Sequence, residues 1–253
     1  MRKGKELILV LSNIFILGVC SFSSSARRAK TTCYPLEEYN VVGIELSEAK
    51  VNGSYSFPFP VSISQHHVAA YLWIKEMIAE GRLPKGLSLV YLDTHIDYML
   101  SDNKPVQSSN WVRFALTDEI CSEAILALPE WLEVDEHLYY RVTHVYDPAS
   151  KIRMFYEHDL NVLSELESLS DGETLGPIIL SIDCDYFSNM GYPNHRVSPR
   201  EIREEIDKIV RILKEKNIQI AALNIAVSPG YTWLDQEIFI KDALLEAFSG
   251  VLK

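Results

Sequence analysis

The stretch LSLVYLDTHIDYML, residues 87–100, sets Asp93, His95 and Asp97 at every second position directly behind an apolar run. A second stretch, GPIILSIDCDYF at 176–187, closes the same way, with Asp183 and Asp185 two apart. A third, FPVSIS at 59–64, runs into Gln65, His66 and His67. On an extended backbone successive side chains alternate between faces, so positions i, i+2 and i+4 gather on one side. Carboxylates crowded in this way push one another's pKa values apart unless positive charge lies between them. Two divalent cations would balance the charges of Asp93, Asp97, Asp183 and Asp185, with neutral imidazoles completing their shells. Mixed carboxylate and imidazole donors suit manganese, iron or zinc better than calcium. Two such ions bridged at about 3.5 Å can share and activate one water molecule. Each motif alone also reads as a polar turn or a helix cap. Their joint placement behind apolar strands points to a metal site. Of the two adjacent histidines, His66 stands at the strand end and is expected to face the cluster, with His67 as the alternative. Cys184, between the two aspartates, falls on the opposite face and is expected in the core.

The surrounding elements alternate. YNVVGIEL and FPVSIS read as short strands, followed by a helix from His67 to Ala79 and the strand Leu87 to Leu92. An irregular stretch with helical pieces is expected over Trp111 to Leu128, then a strand at LYYRVTHVY (138–146), a helix over Asp159 to Leu169 and the strand GPIILSID. The next helix announces itself: Ser198 can cap it, Pro199 suits its first turn and Glu201 completes a capping box. Ile202, Ile206, Ile209, Val210 and Leu213 then line one face. NIQIAALNIAV is a strand and WLDQEIFIKDALLEAF the closing helix. Unbroken apolar strands alternating with amphipathic helices imply a three-layer α/β/α arrangement around a mostly parallel sheet. In such sheets functional groups gather beyond the carboxyl ends of the strands, where all three motifs fall.

With 253 residues and 47% hydrophobic content, the chain can bury one sizeable core. Residues 1–26 run from basic (MRKGKE) through an apolar segment (LILVLSNIFILGVC) to small residues (SFSSSA), the order of a secretory signal. That predicts export to a secreted or periplasmic location, with residues 27–253 as a single catalytic domain. An uncleaved membrane anchor is the alternative. Without this segment, net +2, the formal charge falls from −11 to −13. Such acidity argues against nucleic acid or an anionic membrane as partner and favours a cationic small-molecule or peptide substrate. Cys33, Cys121 and Cys184 are widely spaced and show neither a disulfide framework nor a zinc ribbon.

The motifs bring a known family into view. LDTHIDYM resembles the D-A-H-x-D segment of the arginase (ureohydrolase) family, SIDCDYF resembles its S-x-D-x-D segment, and SQHHVAAYLW occupies the place of its early metal-binding histidine. The order agrees over roughly residues 60–230. HHVAAYLWI, YLDTHID, SIDCDYFS and SPGYT look closest to an arginase-like branch called uncharacterised protein family 0489, itself similar to peptide arginases. Those enzymes convert arginine residues in a peptide to ornithine and release urea. The resemblance implies an arginase/deacetylase fold and two manganese ions. One would be held by His66, Asp93, Asp97 and Asp183, and the other by Asp93, His95, Asp183 and Asp185, with zinc or iron as alternative metals. It further implies that Asp185 is both ligand and proton acceptor. His195, in the loop after the D-x-D strand, is the candidate proton shuttle, ahead of His144. The deacetylase side of the superfamily binds one zinc and lacks the last acid of the D-x-H-x-D segment, which is present here as Asp97. Two features of free-arginine enzymes are missing. DNKPVQSSNW (102–111) carries no histidine-glycine loop, and ALNIAVSPGYT (222–232) carries no glutamate to grip a guanidinium. The function expected is hydrolysis of a C–N bond, with arginine in a peptide or a related guanidinium compound as substrate. A single-zinc amidohydrolase and a non-catalytic metal-containing binding protein are the alternatives.

Overall fold

A computed structural model describes residues 29–35, 40–46, 57–98, 105–129, 152–156, 176–188 and 196–249. The proposed signal segment, the strand at 138–146, the helix at 159–169, His144 and His195 all lie outside the described residues.

Eight strands form one sheet in the order β1-β2-β3-β8-β7-β4-β5-β6. They are β1 (Ala29–Pro35), β2 (Asn40–Leu46), β3 (Val61–Ser64), β4 (Leu87–Leu92), β5 (Cys121–Leu128), β6 (Ile152–Tyr156), β7 (Ile178–Asp183) and β8 (Ile220–Ala226). β3 through β6 in that spatial order pair in parallel. β1 and β2 add an antiparallel edge. The helices are α1 (Val68–Ala79), α2 (Trp111–Thr117), α3 (Pro199–Glu215) and α4 (Leu234–Ser249). Among the described residues no helix is long and apolar enough to cross a membrane.

Strand alternation sorts the core into two halves. Val90 and Leu92 of β4 and Leu180 and Ile182 of β7 join Ile202, Ile206 and Ile209 of α3 and Leu244 and Phe248 of α4. Leu89 and Tyr91, with Ile179, turn the other way and meet Val68, Trp73, Ile74 and Met77 of α1 and Trp111, Val112 and Ala115 of α2. A sheet buried on both faces between two helix layers is the expected three-layer α/β/α architecture. The predicted start of α3 is also present: Ser198 Oγ accepts from the Glu201 backbone N–H and the Glu201 carboxylate accepts from Ser198 N–H, with Pro199 opening the helix.

Two local expectations need correction. The stretch from Trp111 to Leu128 is a short helix followed by a full strand, β5, whose CSEAILAL is buried at nearly every position. Its continuous burial between β4 and β6 erased the alternation that marks a half-exposed strand. β1 and β6 were not anticipated.

Four strands adjacent in the sheet, β3, β8, β7 and β4, end side by side. Beneath those ends runs a polar rung, in which Ser64 Oγ donates to Asn224 Oδ1 and Asn224 Nδ2 donates to Ser181 Oγ. All three are buried. Each bond satisfies a group that would otherwise be stranded in the core, and together they fix the register of β3, β8 and β7 just below the site.

Candidate metal centre

At the carboxyl ends of these strands a cavity of about 400 Å³ opens. Its floor holds His67, Asp93, His95, Asp97, Asp183 and Asp185, and its wall includes His66, Gln107, Ser108, Ser109, Ser228 and Tyr231. The four aspartates expose only 1% (Asp93), 9% (Asp97), 4% (Asp183) and 2% (Asp185) of their surface.

The side chains converge, but not by strand alternation. β4 stops at Leu92, and beyond it the Asp93 carboxylate accepts the backbone N–H of His95 at 2.8 Å, folding the chain into a tight turn. Asp97 then adopts a positive φ of 49°. That strained conformation is held from three sides. Tyr91 Oη donates to Ile96 O at 2.8 Å, Val112 N–H donates to Asp97 O at 3.2 Å, and Trp111 Nε1 donates to Asp97 Oδ2 at 2.7 Å. At the end of β7 the chain enters a single 3₁₀ turn, Cys184–Phe187, with Asp183 as its cap accepting from Asp185 N–H at 2.9 Å. Ser228, also at φ 49°, donates its hydroxyl to Asp183 Oδ2.

The histidine that meets the carboxylates is His67, not the His66 favoured from sequence. Its Nδ1 lies 2.8 Å from Asp93 Oδ2 and 3.7 Å from both Asp97 Oδ2 and Asp183 Oδ2. The reason is local: β3 ends at Ser64, and His67 is already in helical conformation as the N-cap of α1. Counting by twos from the strand therefore fails. His66 lines the cavity beside it. Around the second face, His95 Nδ1 lies 3.0 Å from Asp185 Oδ2 and 3.3 Å from Asp93 Oδ1. Among the described residues two groups have the geometry to hold an ion, His67 with Asp93 and Asp97, and His95 with Asp93 and Asp185. Asp93 belongs to both. Cys184 is in the core, as expected.

The crowded carboxylates and imidazoles shift one another strongly. Burial and then the charge of Asp93 push the Asp97 carboxyl up to about 7. Burial raises Asp183 well above the usual carboxylate range, with Asp185 and Asp93 adding to it, and burial and Asp93 raise Asp185. Burial pushes the Asp93 carboxyl up too, but bonds and charge from His67 and His95 outweigh it and the net shift is downward. Hydrogen bonds to Asp185 and Asp93 raise His95 to about 11. For His67 burial pulls the imidazole down, while Asp183 and Asp93 outweigh it and lift it well above its ordinary value.

The donor set fits divalent ions better than it fits protons. Three carboxylate oxygens surround His67 Nδ1, and one N–H can serve only one of them well. Among the described residues Asp185 Oδ1 is buried with no hydrogen-bond partner. A cation on each side of Asp93 would satisfy these acceptors together.

No protein-family model and no curated protein matches the sequence. Among solved structures the fold is similar to that of formimidoylglutamase from Bacillus subtilis, with a TM-score of 0.50, 18% identity, and 76% of this chain and 60% of that chain covered. The fold is arginase-like. A hypothetical agmatinase from Burkholderia thailandensis (TM-score 0.49, 17% identity, 76% of this chain and 57% of that one) and an arginase from Bacillus cereus (0.46, 18%, 76% and 71%) are also similar. The chain spans about 60% of the length of the first of these proteins. Within this arginase-like fold, the candidate ligands follow the ends of three strands, β3, β4 and β7, and β8 between them leads to Ser228, which bonds Asp183.

Three contributors escaped the sequence reading. Trp111 reads in the sequence only as the start of a stretch with helical pieces. Ser228 sits in SPGYT, legible as a turn, but nothing in the turn's composition points to Asp183. Gln107, Ser108 and Ser109 come from the stretch marked only by its missing histidine; Asn110, buried, accepts Gln107 N–H at 2.7 Å and donates to Pro105 O at 3.2 Å, which shapes that loop against the cavity. Tyr231 lines the cavity and stands edge-on to His95, ring centres 5.4 Å apart. Trp233 instead lies under the Arg196 guanidinium.

Proposed function

We propose that the chain is a metal-dependent hydrolase of C–N bonds, acting on a guanidinium-type carbon with two divalent cations, manganese by the resemblance of its motifs. The observation that carries this reading is the division of Asp93, with Oδ2 toward His67 and Oδ1 toward His95, so that one carboxylate serves two adjacent ion sites. When bound, two such ions supply Lewis acidity and a water acidic enough to give a nucleophile at neutral pH.

The chain's own residues divide the remaining work. His67, Asp97 and Asp183 would hold an ion on one side of Asp93, and His95 and Asp185 one on the other. Asp185, with one oxygen unpartnered, accepts the proton of the attacking water. Ser228 holds Asp183 from the wall through its hydroxyl. The acidity of the whole chain, −11 in formal charge, favours a cationic substrate. The wall residues Gln107, Ser108, Ser109 and Tyr231 offer hydrogen bonds and an aromatic edge without formal charge, which supports a substrate whose remote end is neutral, as in an arginine within a peptide. Tyr231, on the cavity wall and 57% exposed, offers an aromatic surface to the residues that would flank that arginine.

The test is release of urea or ammonia by the manganese-loaded chain from arginine peptides, free arginine and formimino compounds. The reading expects turnover that disappears in Asp93→Asn, with peptides ahead of free arginine. Two bound ions with no turnover on any of these substrates would favour a non-catalytic metal protein. Activity on acyl-amines with a single zinc would favour the deacetylase-like alternative.

A further inference from the structure

Trp111 is fully buried, outside the cavity wall, and so out of reach of any substrate. Its contacts nevertheless converge on one half of the metal centre. The indole Nε1–H donates to Asp97 Oδ2 at 2.7 Å. The ring stands 5.4 Å from the His67 imidazole, tilted at 55°, and packs edge-on to Tyr91 at 5.9 Å. Tyr91 in turn donates to Ile96 O, the residue before Asp97. The next residue after the indole, Val112, donates its backbone N–H to Asp97 O. One side chain therefore directs a carboxylate held at positive φ and also bears on the imidazole beside it.

We infer that Trp111 is the positioning residue of the His67–Asp97 ion site and sets the affinity of that site selectively. The indole N–H takes one lone pair of Oδ2 and fixes the plane of the carboxylate, leaving its other lone pairs in one orientation toward the ion. The ring restrains the swing of His67. The site built on His95 and Asp185 has no such contact from Trp111. Outer partners of this kind typically change metal affinity 10- to 100-fold. The inference rests on the two-ion reading above, and the experiment separates the two.

The measurement is calorimetric titration of manganese into the metal-free full chain, beside Trp111→Phe and a chain carrying the benzothiophene isostere of tryptophan at position 111. The isostere keeps the ring's shape and lacks the N–H, so it serves where Trp111→Phe fails to fold. The result expected is that one of two binding steps weakens about tenfold or more and the other stays within about threefold. In the wild type, tryptophan emission should change with the step that the isostere weakens. Two ions bound with both steps unmoved, or both weakened equally alongside a fall in the metal-free midpoint, would overturn the inference and leave the two-ion reading standing. A wild-type chain that takes up no ion would overturn both.

Discussion

Asp93 is the shared ligand, and its removal should behave differently from removal of any other. An ion that binds only the folded chain stabilises it by about 2.7 kcal/mol at a free concentration 100-fold above its Kd. Two sites give roughly 5 kcal/mol by the same relation. For a domain of this size each kcal/mol moves the thermal midpoint by about 2–4 °C, so loading should raise it by roughly 10–20 °C. Asp97→Asn removes a ligand from the His67 side alone and should keep about half of that gain. Asp185→Asn removes one from the His95 side alone and should also keep about half. Asp93→Asn removes a ligand from both and should keep almost none. Its metal-free midpoint is set by two opposed effects. The variant loses charged partners for His67 and His95, each worth about 1.5–3 kcal/mol, but it also relieves the repulsion that pushes Asp97, Asp183 and Asp185 upward. Because that offset is common to loaded and unloaded protein, the quantity to compare is the metal-induced difference in each variant. Scanning fluorimetry with and without excess manganese, against a chelator control, measures it. If Asp93→Asn retains as large a metal-induced shift as Asp97→Asn, Asp93 is not shared and the two-site reasoning fails.

Other expectations concern the supports around the site. Ser228→Ala removes the hydroxyl donor to the buried Asp183 and should lower stability by about 1–3 kcal/mol, read as a lower urea midpoint at unchanged slope. Ser198→Ala breaks the capping box of α3 far from the metals; a loss of about 1 kcal/mol with no change in metal stoichiometry is expected from parallel urea and metal titrations. Burial raises the Cys121 thiol to about 12 and the Cys184 thiol well above its ordinary value, so at pH 8 almost no thiolate exists at either. Peptide mapping after alkylation should find both unlabelled in the folded chain and labelled in denaturant.

What the sequence revealed, and where it stopped, follows from the range of the forces involved. Alternating elements and the α3 capping box are local patterns, and they were legible because a strand's apolar run or a Ser198–Glu201 pair acts within a few residues. The gathering of Asp93, Asp97, Asp183 and Asp185 was legible because open parallel sheets bring strand ends together. The route by which they gather was not. The turn around Asp93 and the positive φ of Asp97 depend on Tyr91, Trp111 and Val112, and those partners lie up to 15 residues away in sequence. The choice between His66 and His67 turned on where one helix begins, a boundary that single-residue patterns resolve poorly. Strand β5 was hidden by its own burial, since a strand covered on both faces shows no alternation.

The central claim is tested most directly by a crystal of the manganese-soaked chain, measured for anomalous scattering at the manganese edge. The account predicts two peaks in the cavity, one between His67 and Asp97 and one between His95 and Asp185, with Asp93 touching both. A single peak, or none within reach of Asp93, would contradict it.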